Sequence, residues 1–438
     1  MRSYWSGRET ERCLLGIVMA IAILNGSSLA LARRGTVFGA EVAVAFTAVV
    51  AFTLAHLSLG LSKCRADQVL LPLAGAAAVT GLMVVVRLRP DLGLRQVGFM
   101  WAGCAAMVLA AVWYPRLVTQ HRAELASWTS LALLAATLIL GAERGGARSW
   151  LVLGGLGFQP SEFAKVAAVS VGAHALSGLP SADPREVRRS PIREVWSSAN
   201  VRRMAYAWGG MLALIAAQRD VGTAAVIYVA CLAMVYAATG NRWLVGGMTF
   251  VGVTGVILAW VAFGHVRARF GSWLNPWADP SGSGYQVLQA LFSLAGGGIL
   301  GRGLGMGEPG LIPAAVTDMT FAAAAEELGL VGSAGFISIY ALLVSRGLSI
   351  AMRSGSRVLA LASVGAATLI GSQTFIIVGG NLGLLPLTGV TLPLVSYGGS
   401  SMITTMLLLG IILAASARRP QNWPGGWEAH GGAGGGGQ

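Results

Sequence analysis

"VLLPLAGAAAVTGLMVVV", residues 69–86, has no charged side chain and is close to the length of a helix that crosses a lipid bilayer. Similar apolar stretches recur along the whole chain, separated by short polar connections. Within lipid, only α-helices and closed β-barrels satisfy the polar groups of the backbone, and the strict alternation of apolar and polar residues that a barrel needs is missing. The sequence therefore predicts an all-α, multi-pass integral membrane protein.

The composition supports this fold class. Of the 438 residues, 55% are hydrophobic and only 11% are charged, and the mean hydropathy is +0.68. Such a chain cannot be a soluble globular domain over most of its length. We predict about twelve membrane-spanning helices. They lie near residues 13–31, 41–61, 69–86, 97–114, 127–141, 203–217, 221–238, 244–264, 321–345, 357–378 and 399–416, with one more that begins near residue 160.

The charge distribution predicts the orientation of the chain. The net charge is +13, but the arginines lie mostly in connections between spans, and no basic stripe with interleaved aromatic residues suggests nucleic-acid binding. Positive connections face the cytoplasm, and the most basic connection, at 180–203, falls on the cytoplasmic side if the N-terminus is cytoplasmic. We therefore expect both termini in the cytoplasm, the second in a flexible tail at 418–438. The four cysteines have no metal-ligand spacing.

The N-terminal segment has two possible interpretations. Its basic start, apolar middle and small residues Ala30 and Ala32 would fit a cleaved signal peptide. An uncleaved first span is the preferred interpretation, because further spans follow and a membrane protein needs no cleavage to insert.

Asp318 has an unusual position for one of only 18 acidic residues. It lies in "IPAAVTDMTFAAAAEELG", residues 312–329, at the end of a long predicted extracytoplasmic connection, 265–320, and just before an inward-going helix. A carboxylate inside hydrocarbon costs roughly 2.5 to 3.5 kcal/mol, so this one needs water or a partner. Two explanations fit the sequence: a helix N-cap, or a functional carboxylate at the outer membrane surface.

Other polar groups are predicted on the same side of the membrane. In "FQPSEFAKVA", Pro160 suits the first position of a helix, and Glu162 and Lys165 are three residues apart, hence on one helical face. A local ion pair is the simplest interpretation of these two residues. In "AAQRDVGTAAVI", Asp220 lies in a tight outer turn, where it would cap the helix that opens at Val221.

"GGNLGLLPLTGVTLPLVSYGGSS", residues 379–401, has the Gly and Pro residues of a loop but is strongly apolar. Non-helical backbone at membrane depth is tolerated where protein buries it or where it lines a cavity, so this segment predicts a wall beside a lipid-accessible groove. The following Ser and Thr residues either bond neighbouring helices or line that groove. They are Ser400, Ser401, Thr404 and Thr405.

Five segments, in this order, resemble the SEDS proteins of bacterial elongation, division and sporulation: "GARSWLVLGGLGFQPSEFAK", "QRDVGTA", "GYQVLQALFSLAGGGILGRGLGMG", "TDMTFAAAAEELGLVG" and "GGNLGLLPLTGVTLPLVSYGGSS". The likeness covers about 69–416. It implies a ten-helix core at 63–417, with 1–62 as two additional N-terminal helices. It also implies a peptidoglycan glycosyltransferase of the bacterial cell membrane that polymerises lipid II at the outer face, usually beside a class B penicillin-binding protein.

The resemblance also implies the site residues. The family's essential aspartate falls on Asp318, and its Glu and Lys fall on Glu162 and Lys165. Where the family commonly has Glu and His ahead of the aspartate, this chain has Ala314 and Val316. Further residues of these segments are expected to bind substrate. They are Arg148, Gln159, Ser161, Arg302, Thr317, Ser396, Tyr397, Gly398, Gly399 and Ser400.

Lipid II polymerisation makes two chemical demands. The 4-hydroxyl of one lipid-linked disaccharide must lose its proton as it attacks the anomeric carbon of another with inversion, and Asp318 fits the general base. The departing undecaprenyl pyrophosphate needs positive charge, for which Lys165 and Arg302 are candidates. Glu162 would hold Lys165 or help to retain a divalent cation, Mg²⁺ or Mn²⁺, with Asp318 as a ligand. No organic cofactor is expected.

Two other functions fit the same sequence. A lipid II flippase or other transporter could use Glu162, Asp220 and Glu327 as a path of charges. A non-catalytic scaffold for a penicillin-binding protein would need none of them to react.

Overall fold

The computed structural model describes residues 8–62, 64, 66–144, 147–153, 156–179 and 197–417, so most of the predicted basic connection and the predicted tail lie outside the described residues. The described part contains fourteen α-helices. They are α1 (Glu9–Arg34), α2 (Ala40–Leu61), α3 (Leu70–Leu88), α4 (Pro90–Leu117), α5 (Gln120–Leu140), α6 (Pro160–Ser177), α7 (Ala199–Ala217), α8 (Val221–Thr239), α9 (Arg242–Ala262), α10 (Gly264–Leu274), α11 (Tyr285–Gly297), α12 (Thr320–Arg353), α13 (Arg357–Asn381) and α14 (Gly399–Ser416).

Ten of these helices are long and apolar enough to cross a membrane, which confirms the multi-pass helical fold. They are α1 to α5, α8, α9 and α12 to α14. Helices α6 and α7, of 18 and 19 residues, occupy the positions of the two remaining predicted spans and pack among the others. Every predicted span therefore corresponds to one helix. The largest differences in a starting residue are equal and occur at α4 and α5, which begin at Pro90 and Gln120. Proline suits the first helical turn and explains the start of α4.

The bundle is built around α13 and α14. Helix α14 lies along α4, and Gly410 is needed there because a Cβ at this position would be 2.4 Å from the carbonyl oxygen of Met107. Helix α13 contacts α6, α8 and α12. Helix α9 is the opposite case, since none of its residues is buried. Its apolar surface is the kind that lipid covers.

The two N-terminal helices pack on α3 and α4 and are held at both ends by buried charges. At one end Glu11, which is fully buried, accepts hydrogen bonds from Arg8 and lies 2.9 Å from the ring of His56. At the other end Glu41 lies 3.6 Å from Arg33. Paired charges make the burial of these carboxylates tolerable.

A small antiparallel sheet, which the sequence did not predict, lies at one end of the bundle. Strand β1 (Ala142–Arg144) pairs with β2 (Ala147–Leu153), and β2 pairs with β3 (Leu156–Phe158). Two of the strands have only three residues, too few to show the alternation by which strands are recognised. Since β3 is followed directly by Gln159 and α6, the sheet positions the start of that helix.

The connection predicted at 265–320 is partly helical, since it contains α10 and α11. Its glycine-rich part bonds to a break in α12 at Gly329, where φ is 68° and ψ is −172°. The Leu330 N–H donates to the Gly298 carbonyl at 2.9 Å, and the Arg302 N–H donates to the Glu326 carbonyl at 3.1 Å. The predicted continuous helix is therefore interrupted. The interruption is tolerated because protein satisfies the freed backbone groups.

Candidate active site

Asp318 does not cap α12. The N-cap residue is Met319, and no side chain makes a capping hydrogen bond there, so the capping explanation is wrong. Instead the segment before the helix is bound from neighbouring elements: the Asn381 side chain donates to the Asp318 carbonyl at 2.9 Å, and the Tyr397 N–H donates to the Val316 carbonyl at 2.8 Å. The backbone of this segment is thus held in place, while the Asp318 carboxylate remains available.

A tight backbone turn precedes Asp318. Ala314 has a φ of 55°, and its carbonyl accepts from the N–H groups of Thr317, Asp318 and Met319 at 3.0 to 3.1 Å. The turn therefore needs no side chain at position 314. The Glu that the resemblance led us to expect there is therefore not required for this turn.

The surroundings of Asp318 make its carboxyl harder to ionise. Burial raises the pKa of this carboxyl above its usual range, and the nearby charge of Asp220 raises it further. A hydrogen bond from Thr317 and the positive charge of Arg269 partly oppose this shift. The side chain is half-buried, so it keeps contact with the surroundings. A recessed carboxyl with a raised pKa is a better proton acceptor than an ordinary aspartate.

Arg269, which the sequence analysis missed, lies beside Asp318. This residue is in α10, and its Nη1 donates to the Thr388 carbonyl at 2.5 Å. Between the two side chains is Gly389, with a φ of 75°: a Cβ there would lie 3.1 Å from Arg269 Nη2 and 3.6 Å from Asp318 Oδ2. The guanidinium and the carboxylate therefore lie no more than about 7 Å apart, both beside the exposed Gly389.

Asp220 links this region to α6. As predicted, it caps α8: its Oδ1 accepts from the Thr223 N–H at 3.1 Å. Its Oδ2 accepts from the Gln159 side chain at 3.4 Å. Burial is the main cause that raises the pKa of the Asp220 carboxyl, and the charge of Glu162 adds to it. Asp220 therefore stands between the Asp318 region and the buried charges of α6.

Glu162 and Lys165 form the predicted ion pair, with Nζ 2.7 Å from Oε2. Lys165 also donates to the Gln373 side chain at 2.8 Å, and Thr404 donates to Glu162 at 2.9 Å. Lys165 is only 1% exposed and Glu162 only 2%. The ammonium group is thus sealed among protein partners, so the structure does not support its predicted contact with a departing pyrophosphate.

The loop between α13 and α14 is non-helical, as predicted, and packs against the Asp318 segment. The hydroxyl of Ser396 donates to the Thr317 carbonyl, and the Ser400 hydroxyl accepts from the Gln159 N–H at 3.1 Å. Thr391 donates to Ser401 at 2.9 Å. The serines and threonines of this region therefore bond separate elements together and hold the loop beside Asp318.

The remaining predicted residues are four that lie near the starts of α6 and α14 and two arginines. Ser161 is fully buried and its hydroxyl has no hydrogen-bond partner among the described residues, while the ring of Tyr397 packs 6.2 Å from that of Phe99. Gly398 and Gly399 begin α14 close by. Two predicted arginines have other partners: Arg302 lies 3.2 Å from Glu326, and Arg148 donates to the Leu138 carbonyl at 3.3 Å. The structure therefore does not bring these arginines to Asp318.

Comparison with known proteins places this arrangement in a family. Residues 89–421 match the family described as "Cell cycle protein", FTSW_RODA_SPOVE. The chain belongs to this family. The predicted resemblance is therefore confirmed, while the division of the chain at residue 62 stays a prediction.

Several relatives in this family have descriptive names. The chain is 34% identical over 408 residues to "Peptidoglycan glycosyltransferase RodA" of Mycobacterium tuberculosis, covering 84% of this chain and 82% of that protein. It is 31% identical over 300 residues to "Stage V sporulation protein E" of Bacillus subtilis, covering 66% of this chain and 79% of that protein.

Solved structures of the FtsW/RodA/SpoVE type also resemble this fold. A chain from a study of "structural coordination of polymerization and crosslinking by a peptidoglycan synthase complex" aligns with a TM-score of 0.67 at 30% identity, covering 82% of this chain and 99% of that one. The rod shape determining protein RodA of Thermus thermophilus aligns with a TM-score of 0.58 at 30% identity, covering 82% and 98%.

Proposed function

We propose that this protein is a peptidoglycan glycosyltransferase that polymerises lipid II. The observation that carries the proposal is the position of Asp318, which is held by backbone bonds before α12 with its carboxylate beside the exposed Gly389 and near Arg269. The name of the Mycobacterium tuberculosis relative, peptidoglycan glycosyltransferase RodA, supports the same activity.

The reaction transfers a sugar between two lipid-linked disaccharides. Asp318 accepts the proton of the 4-hydroxyl as this oxygen forms a bond to the anomeric carbon of the second disaccharide. The bond between that carbon and the pyrophosphate oxygen breaks, and its electron pair leaves with the polyprenyl pyrophosphate. A positioned general base contributes roughly 10²- to 10⁴-fold in rate, and the raised pKa of Asp318 favours this role.

The proposed site is extracytoplasmic and both termini are cytoplasmic. The arginines at the far end of the bundle support this orientation, because Arg202, Arg203, Arg353 and Arg357 lie at the helix ends opposite Asp318. The apolar loop beside Asp318 supplies a surface for the polyprenyl chain, since Leu382 and Leu384 of this loop are exposed.

The proposal includes a divalent cation for which the protein supplies only part of the ligands. The part of the chain that the structure describes has no cluster of three or more His, Cys, Asp or Glu residues that could hold a metal ion. Mg²⁺ and similar cations are often held by one or two carboxylates together with substrate phosphates, and here Asp318 would be the protein ligand, with the charge of Asp220 nearby. A cation bound there would supply positive charge to the pyrophosphate.

We also propose a class B penicillin-binding protein as partner. The support is the similarity to a chain of a synthase complex that coordinates polymerisation with crosslinking.

Polymerisation by purified protein tests the proposed function. Protein in detergent is given fluorescent lipid II, with and without the partner, and the products are separated by size. We expect glycan strands from native protein and none from Asp318→Ala protein that keeps its native unfolding midpoint. Equal strand formation by the variant would exclude this mechanism, and movement of lipid II across vesicle membranes without polymerisation would indicate a transporter instead.

A further inference from the structure

The departing pyrophosphate needs a positive partner, and both residues first considered for this role are engaged elsewhere. Lys165 is bonded to Glu162 and Gln373 and is almost completely buried. Arg302 is paired with Glu326. If the proposed function is correct, a basic side chain near Asp318 that is still able to contact phosphate is a candidate for this role.

Three basic residues form such a group, here called the cationic corner: Arg219, His265 and Arg269. Arg219 lies in the turn between α7 and α8, immediately before Asp220, whereas His265 and Arg269 are in α10. The imidazole of His265 lies against the backbone of Arg219 and beside both guanidinium groups. Burial and these two positive charges lower the pKa of the His265 ring, as expected where positive groups are crowded.

Within the described part of the chain, the arginines of the cationic corner form no close ion pair, although Asp318 lies near enough for its charge to act on Arg269. None of the ion pairs within 4.0 Å in the described ranges involves Arg219 or Arg269. Arg269 is half-buried, its Nη1 is bonded to the Thr388 carbonyl, and its Nη2 lies beside the exposed Gly389. The Nε2 atom of His265 is buried without a hydrogen-bond partner. Basic groups without an ion pair, beside a buried nitrogen without a hydrogen-bond partner, favour an anionic ligand.

Backbone strain at Arg219 also indicates a binding role for this residue. Its φ of 65° lies in the left-handed region, which glycine adopts freely and arginine does not. Strain of this kind persists mainly where surrounding structure enforces it, and it concentrates at functional sites. The backbone conformation at position 219 would favour glycine. The presence of arginine there is therefore better explained by its charge.

We propose that the cationic corner binds the pyrophosphate of a lipid-linked substrate, with Arg269 facing Asp318 across Gly389. The planar guanidinium suits a bidentate contact to phosphate oxygens. The carboxylate that accepts the proton of one disaccharide and the guanidinium that binds the pyrophosphate of the other then lie no more than about 7 Å apart, so both substrates meet beside Gly389. This assignment rests on the proposed function for the identity of the lipid.

Direct binding tests this assignment without polymerisation. The unfolding midpoint of purified protein in detergent is followed while farnesyl pyrophosphate, farnesyl monophosphate or inorganic pyrophosphate is added. Native protein is expected to be stabilised most by farnesyl pyrophosphate. Arg269→Gln, which removes the charge but keeps an N–H donor for Thr388, should weaken that binding about 10- to 100-fold. Arg267→Gln, an exposed position on the same helix, is the matched control and should bind as native protein does.

Arg219→Gly separates charge from structure. Because glycine adopts this φ without strain, the variant should unfold at the native midpoint or above it, yet bind farnesyl pyrophosphate several-fold more weakly. Native affinity in both Arg269→Gln and Arg219→Gly, or equal stabilisation of native protein by inorganic pyrophosphate and by farnesyl pyrophosphate, would overturn the proposal. Binding that depends on Arg269 in a protein that makes no glycan would instead reject only the proposed function.

Discussion

The buried pair of Glu162 and Lys165 is expected to stabilise the site rather than to react. Lys165→Met leaves the Glu162 carboxylate, 2% exposed, with the Thr404 hydroxyl but without its positive partner. Removal of one member of a buried pair typically costs about 3 to 5 kcal/mol, because an uncompensated charge remains in a medium of low polarity. Glu162→Gln should cost a similar amount, since Lys165 then keeps only its bond to Gln373.

The double substitution is expected to recover most of the loss. With both charges absent, no unpaired ion stays in the bundle, and replacement of a whole buried pair is often nearly neutral. A double-mutant cycle should therefore give a coupling free energy of at least about 3 kcal/mol. The measurement is denaturant unfolding in detergent micelles, in which each variant is compared with native protein.

A surface pair provides the matched control for this cycle. Arg203 lies 3.1 Å from Glu124, and the Arg203 side chain is 61% exposed. Arg203→Met should therefore cost no more than about 1 kcal/mol. Lys165→Met could instead lower the free energy of unfolding no more than Arg203→Met does and still abolish polymerisation. That result would show that Lys165 acts in the reaction itself and not as a stabilising pair with Glu162.

Other variants have distinct expected outcomes. Asp318→Asn should lower polymerisation about 10²- to 10⁴-fold without loss of stability in denaturant unfolding at neutral pH, because the burial that raises the pKa of this carboxyl makes its charge a cost to the folded protein. For the same reason the pH–rate profile of native protein should fall on acidification at a pH above the ordinary aspartate pKa of about 3.9, and a fall only near that value would contradict the assignment. Gly329→Ala should destabilise the protein by several kcal/mol in denaturant unfolding, because its Cβ would lie 2.1 Å from the Gly301 nitrogen at a φ of 68°. Gly335→Ala in the same helix, where a Cβ meets nothing within 4 Å, should have the opposite effect, with a gain of up to about 1 kcal/mol.

Local sequence predicted those features that depend on lipid or on a few neighbouring residues. Each apolar stretch became a helix because backbone groups inside a membrane must bond within their own segment. Pro160 begins α6, Asp220 caps α8, and Glu162 pairs with Lys165 one turn away, as the spacing of these residues indicated. Such contacts span at most four residues, so the helix geometry alone decides them.

The arrangement around Asp318 was decided by tertiary structure. Thr-Asp before an apolar run is typical of a capped helix, yet Asn381 and Tyr397 hold this segment in another conformation. Arg269 reaches Asp318 only because α10 folds back onto the loop at Thr388, while Arg302 is bound elsewhere by Glu326. Partners so distant along the chain meet through helix packing and loop closure, and no periodicity in the sequence encodes which of several arginines will lie beside the carboxylate.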